Sequence, residues 1–341
     1  MTSSTTPATI PRLWMLADLA TPMAVRVAAT YSVADHIAAG RTTAAAIAEA
    51  ENLHAESLDS VLRHLVTVGL LERDGDSYAL SGDGEFLRSD HPSGMQGLLD
   101  MESAIGRADL SFIDLAHVVR TGEPAYPLRY GVSFWEDLAA NKSLAVSFDR
   151  SMGINVTRDA PRIAQCYDWS QVGHLVDVGG GNGSLLSAIL AAHPTLRGTV
   201  FDLPDTVSRA EALLAERGLA DRADVRAGSF FEEIPSGAGG YVLSSILHDW
   251  DDNSAVAILK RCVEAAGDTG KVFIIEETTP DGESPSTEMD LRMLVYYVGR
   301  ERSLAENIAL ARNAGLSLIQ VHYATPTRVV IELRANGSES G

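Results

Sequence analysis

From about Pro11 to Pro161 the apolar residues recur at helical spacing, beginning with Leu13, Leu16, Ala17, Ala20, Met23, Val27, Ala28 and Val33. Met23 to Ile37 is the most apolar early segment, but Arg26, Asp35 and His36 interrupt it, which predicts a packed helix. No apolar run approaches the ~20 residues that a membrane-spanning helix requires. Thr42 or Thr43 can cap a small helix running through Ala50. Ser57 begins another, whose Leu58, Val61, Leu62, Leu65 and Val66 form one apolar face before Gly69 stops it. Leu70 to Arg73, the turn Asp74-Gly75-Asp76 and Tyr78 to Leu80 then read as a hairpin. Helix, turn, helix and hairpin make a winged-helix arrangement. Further helices are expected over Gly97 to Val119 and Phe134 to Met152, separated by the loop Thr121-Gly122-Glu123-Pro124, with another starting near Ala160.

After Tyr167 the rhythm changes to strand, turn, helix. Leu175 to Val178, Gly198 to Asp202, Val225 to Ala227, Gly240 to Ser244 and Lys271 to Glu276 read as strands. Helices at Ser184 to Ala192, Val207 to Arg217 and Ala255 to Ala266 alternate with them. This alternation predicts an α/β fold with a doubly wound parallel sheet, whose ligands gather at the carboxyl ends of the strands. Val321 to Tyr323 and Val329 to Leu333 read as a closing antiparallel pair. The expected division is a helical region over 1–160, a sheet domain over 161–336 and a disordered tail over 337–341.

Composition narrows the partners. The 341-residue chain carries a formal net charge of −19, the wrong sign for a protein that neutralises phosphates. The presumed recognition helix, Glu56 to Val68, offers Arg63 against Glu56 and Asp59, so packing is favoured over nucleic-acid binding. The charge also disfavours a polybasic membrane anchor. The two cysteines, Cys166 and Cys262, have no metal-ligand spacing, and the opening Met1 to Thr6 lacks a basic, apolar leader. These features lead to the expectation of a cytoplasmic protein without a metal, nucleic-acid or membrane partner.

Asp177-Val178-Gly179-Gly180-Gly181-Asn182-Gly183 follows the first strand and opens a helix. Gly179, Gly181 and Gly183 let a nucleotide-like ligand approach the backbone there. A dinucleotide is the alternative by spacing alone, but Asp177 suits a ligand ammonium, and no basic residue in the loop awaits phosphate. Asp202, about 20 residues on, stands where a carboxylate accepts ribose hydroxyls. Phe230 can stack on an adenine beside Ser229, or simply join the core. His248, in Leu247-His248-Asp249-Trp250-Asp251-Asp252, follows the fourth strand and titrates in the range of a general base. An acid must hold its other nitrogen, and Glu276, Glu277 and Glu301 are the candidates.

With these motifs the chain resembles the caffeic-acid-type small-molecule O-methyltransferases, in particular the bacterial branch that decorates aromatic polyketides and related antibiotics. The resemblance extends over nearly the full length and is carried by the winged-helix half, Val176 to Gly183, His248-Asp249-Trp250, Lys271-Val272 leading to Glu276, and Gly299-Arg300-Glu301-Arg302-Ser303. It implies an N-terminal homodimerisation region and a Rossmann-like C-terminal domain. That domain would bind S-adenosylmethionine and release S-adenosylhomocysteine. It implies His248 as general base flanked by Glu276 and Glu301, and Asp177, Gly179, Gly181 and Asp202 as cofactor contacts. Ser229, Phe230 and Ser244 would line the adenine and methionine regions. A small phenolic substrate would meet Phe134, Trp135, Phe148, Met152, Asn155, Met293 and Tyr297. Two departures stand out: Ser229 replaces the family's usual acid, and Ser244 replaces the lysine of plant members. Three rival activities follow. Relatives in the antibiotic branch hydroxylate or decarboxylate, a winged helix can serve a transcriptional regulator, and the glycine turn can serve an oxidoreductase.

Overall fold

The central strands of the sheet are buried almost continuously, because both faces of the sheet are covered. Leu175, Val242 and Phe273 join one apolar cluster, while Val176, Leu243 and Ile274 join another, so successive side chains serve opposite faces of one sheet. The computed structural model describes residues 12–278 and 286–336, apart from the side chain of Asn155. The expected tail 337–341 lies outside the described residues. The chain forms two compact units, divided between Arg107 and Ala108.

In the first unit, Thr43 caps the helix Ala44–Glu51 by accepting from the Ala46 N–H at 3.2 Å. The next helix, Ala55–Thr67, starts slightly before Ser57 because His54 caps it through the Ser57 N–H. Its Leu58, Leu62 and Leu65 are buried with Ile47 and Tyr78. Strands β1 (Leu71–Asp74) and β2 (Ser77–Leu80) pair as the expected antiparallel hairpin. Met23 to Ile37 forms two helices, Ala20–Thr30 and Val33–Ala38, because Ser32 turns the chain through a left-handed conformation.

The second unit holds a seven-stranded sheet. Its strands are β3 (His174–Val178), β4 (Arg197–Asp202), β5 (Ala223–Ala227), β6 (Gly240–Ser244), β7 (Lys271–Glu277), β8 (Leu316–Tyr323) and β9 (Arg328–Ala335). Their order is β5-β4-β3-β6-β7-β9-β8, parallel from β5 to β7 and closed by the antiparallel β9 and β8. The winding reverses between β3 and β6, which opens a crevice at their carboxyl ends.

A second helix expectation needs correcting. Phe134 to Met152 is not one helix, and no new helix begins near Ala160: Phe134–Ala140 ends at Asn141, and a single 25-residue helix, Lys142–Cys166, runs through Pro161. Residue 160, the expected end of the helical region, therefore lies inside a helix. An interior proline costs about 3 kcal/mol. Ala160, Ile163 and Ala164 offset this by joining the buried cluster of Leu185, Leu186 and Ile189, since one buried large aliphatic side chain alone contributes about 1.5–3 kcal/mol.

Candidate active site

The turn after β3 uses glycine for conformation and for space. Gly179, Gly181 and Gly183 have φ of +70°, +58° and +78°, values that disfavour other residues. A Cβ on Gly179 would stand 2.5 Å from Ile246 Cδ1 and 3.4 Å from Phe230 Cε1, so three segments converge there. The Gly181 N–H donates to Asp202 Oδ2 at 2.8 Å, and the Leu203 N–H donates to Oδ1 at 2.7 Å. Gly181 thereby holds the Asp202 carboxylate in place.

Two polar atoms in this crevice lack partners among the described residues: Asp177 Oδ2 and Ser244 Oγ, both buried. An unsatisfied buried group costs about 1–3 kcal/mol, so their presence at the ends of β3 and β6 marks a place prepared for a polar ligand. Burial, with Asp202 adding to it, raises the Asp177 pKa to about 7. A nearby cation would return it to the ionised form. Ser229 Oγ accepts from the Phe231 N–H at 3.3 Å, and Phe230 meets Trp250 edge to face at 5.9 Å.

Beyond β6, Ser245 takes φ +56° and a short turn, Leu247–Asp249, carries His248. Its Nδ1 lies 2.7 Å from Glu276 Oε2, while Glu276 Oε1 accepts from the Leu247 N–H at 3.0 Å. A carboxylate only accepts, so Nδ1 carries the proton and Nε2 is left as the basic nitrogen. Of the three candidate acids, Glu276 makes this bond. Glu301 brings a carboxylate oxygen into the same cluster, where polar atoms of His248, Glu276 and Glu301 all lie within 4.8 Å of one another. Burial alone would lower the His248 pKa, but Glu276, then Asp249 and Glu301, outweigh it and raise it to about 10. Burial chiefly raises Glu301 and Asp249 to about 7. Glu276 is buried too, yet its pKa stays below the ordinary value because His248, Arg328 and the Leu247 N–H favour its anion.

Two supports of this turn were not singled out in the sequence. Arg302, 3% exposed, donates to the carbonyls of Leu247 at 2.6 Å and Trp250 at 2.7 Å and to Asp252 Oδ1 at 2.8 Å. Gly299 lies so close that a Cβ there would fall 2.0 Å from the His248 carbonyl oxygen. Both belong to the string that contains Glu301, but no spacing rule reveals what they touch.

Most of the expected substrate wall comes together. Trp135 lies parallel to Tyr297 at 5.3 Å, and Phe134 meets Trp135, Phe148 and Tyr297 edge to face at 5.1–5.6 Å. Trp250, not among the expected wall residues, lies parallel to Trp135 at 6.2 Å and so joins this cluster to Phe230. Met293 is buried on the helix Thr287–Tyr296, and Met152 is half-buried on Lys142–Cys166. The side chain of Asn155 lies outside the described residues.

A mainly parallel sheet with a glycine turn, an acid held beside that turn and a carboxylate-held histidine suits an enzyme that binds a nucleotide-like ligand, and comparison with known proteins supplies the class. Residues 112–317 match the O-methyltransferase domain and residues 14–87 the O-methyltransferase dimerisation domain. The chain belongs to the O-methyltransferase family. It is 59% identical over 316 residues to the 2,7-dihydroxy-5-methyl-1-naphthoate 7-O-methyltransferase of Streptomyces carzinostaticus, covering 92% of this chain and 95% of that one. It is 42% identical to the aclacinomycin 10-hydroxylase RdmB of Streptomyces purpurascens, covering 89% and 83%. The crystal structure of NcsB1, an O-methyltransferase from neocarzinostatin biosynthesis, contains S-adenosylmethionine and 2-hydroxy-5-methyl naphthoic acid. It matches with a TM-score of 0.90 at 56% identity, covering 96% and 99%. The winged-helix unit, for which packing was favoured over nucleic-acid binding, is thus a dimerisation domain. No helix among the described residues is long and apolar enough to cross a membrane.

Proposed function

We propose that this enzyme methylates a phenolic hydroxyl of a hydroxylated naphthoic acid or similar fused aromatic acid in the biosynthesis of an antibiotic, with His248 as general base. The observation that carries this reading is the 2.7 Å bond from His248 Nδ1 to Glu276, which fixes the tautomer and leaves Nε2 to take the proton. The acceptor class rests on the 59% identical naphthoate enzyme and on the flat aromatic surface of Trp135, Tyr297 and Trp250.

The residues fit S-adenosylmethionine. Asp177 and Ser244 offer buried polar atoms without partners among the described residues for its amino-acid end, Asp202 a backbone-held carboxylate for its ribose, and Phe230 a ring for its adenine. Bound there, the cofactor supplies an electrophilic methyl group on a sulfonium. The chain's own part is to hold the acceptor oxygen in line, exclude water with the aromatic wall, and remove the proton at Nε2. Orientation of this kind contributes several powers of ten. Glu276 keeps the imidazole upright, and Glu301 adds a second acid beside it.

RdmB shows that family membership alone does not determine whether a methyl group or oxygen is added. The His248–Glu276 pair favours methyl transfer because proton removal from a hydroxyl is the task it is built for. No metal enters this scheme. Methylation of 2,7-dihydroxy-5-methyl-1-naphthoate is therefore expected at the same rate with and without EDTA. A loss of turnover restored by a divalent cation would overturn the metal-free scheme.

A further inference from the structure

Arg328 opens β9 and pairs in register with Glu277, beside the strand that carries Glu276. It is only 8% exposed. Its backbone is held by the Thr325 side chain, whose Oγ1 accepts from the Arg328 N–H at 2.8 Å. Its Nη2 donates to Ser245 Oγ at 2.7 Å, while its Nε has no partner among the described residues. A buried guanidinium so sparsely bonded is unfavourable unless its charge compensates an anion.

Ser245 is the residue from which the catalytic turn departs. Its N–H donates to the backbone carbonyl of Ile275 in β7 at 2.9 Å, and the residue adopts φ +56°. A serine holds that conformation only where its surroundings fix it. The Leu247 N–H and His248 Nδ1 that follow both bind Glu276. Arg328 is also among the charges that favour the Glu276 anion.

We propose that Arg328 is a positioning residue for the His248–Glu276 pair: it anchors the turn through Ser245 and supplies a fixed positive charge to the Glu276 carboxylate. It acts on the base without touching the substrate. The proposal rests on the reading of His248 as base. The other charged groups acting on His248 are Glu276 from β7, Asp249 from the turn itself and Glu301 from the segment before Leu304. Glu277 and Asp290 act on Glu301, and Asp249 faces Tyr297. Against these acids Arg328 is a cation whose removal changes the charge balance without removing a member of the pair.

The test is a nitrogen-15 NMR titration of His248 in enzyme saturated with S-adenosylhomocysteine, assigned with a His248→Ala control, alongside kcat and KM. Loss of the cation makes the pair easier to protonate. Arg328→Met is therefore expected to move the His248 midpoint upward by about half a pH unit or more and to lower kcat about tenfold. KM for the cofactor should stay within about twofold, because the binding groups are untouched. Arg328→Lys keeps the charge and leaves the midpoint in place. Ser245→Ala removes only the hydroxyl, so it lowers kcat severalfold with the midpoint unmoved, which keeps the anchoring arm testable if Arg328→Met fails to fold. An unmoved midpoint in folded Arg328→Met, or full turnover in Ser245→Ala, overturns the proposal. Failure of the base reading is distinct, since it appears as an active His248→Ala enzyme whatever the titration shows.

Discussion

Replacing His248 with alanine is expected to lower kcat about a hundredfold or more, the usual contribution of a placed general base, with affinity for S-adenosylmethionine nearly unchanged. The proposed cofactor contacts, Asp177, Asp202, Ser244 and Phe230, lie outside the turn that carries His248 and are expected to keep their positions. Glu276 loses its imidazole partner but keeps the Leu247 N–H. Steady-state kinetics and calorimetric titration with the cofactor together check the split. The same reading sets the sign of the pH dependence. Carboxylates raise the His248 pKa to about 10, so the neutral imidazole is scarce at neutral pH and grows as pH rises. The wild-type kcat/KM is expected to climb through the neutral range toward alkaline pH, and the alanine variant to lose that slope.

Gly299→Ala is expected to reduce turnover about as severely without touching an ionisable group. The added Cβ would lie 2.0 Å from the His248 carbonyl oxygen and 2.5 Å from the Asp249 carbonyl carbon, both backbone atoms. That backbone has little freedom to retreat, because Arg302 grips the carbonyls of Leu247 and Trp250 on either side. Overpacking of this kind costs about 1–3 kcal/mol, and a displacement of about 1 Å at the reacting centre can cost about a hundredfold in rate. The melting temperature and kcat should fall together, with KM for the cofactor little changed. A variant with full turnover would show that the Gly299 contact does not position His248.

Much of the sheet was legible because its cues are local. The apolar strand Leu175 to Val178, a glycine-rich turn and a following helix occupy one short stretch, and Gly179, Gly181 and Gly183 in that turn take left-handed conformations. Asp202 was legible as the end of the second strand, and its carboxylate accepts from the Gly181 N–H. The long helix was not, because Pro161 is a local stop signal that only burial of Ile163 and Ala164 against another segment overrides. Nor could spacing choose among Glu276, Glu277 and Glu301. The choice depends on where the turn after β6 delivers His248, and Ser245 directs that turn in a conformation serine rarely adopts. Arg302, Gly299 and Trp250 work across gaps of some 50 residues or more, through contacts no periodicity encodes.

The account stands on methyl transfer to an aromatic hydroxyl, and the mass of the product measures this directly. The enzyme is incubated with S-adenosylmethionine carrying a trideuterated methyl group and with a panel of hydroxylated naphthoic acids. One acceptor should gain the mass of a single trideuteromethyl group in place of a hydrogen, located on oxygen by fragmentation, with S-adenosylhomocysteine formed in equal amount. A product heavier by one oxygen atom and free of the label would contradict the account and place the enzyme with its hydroxylase relative.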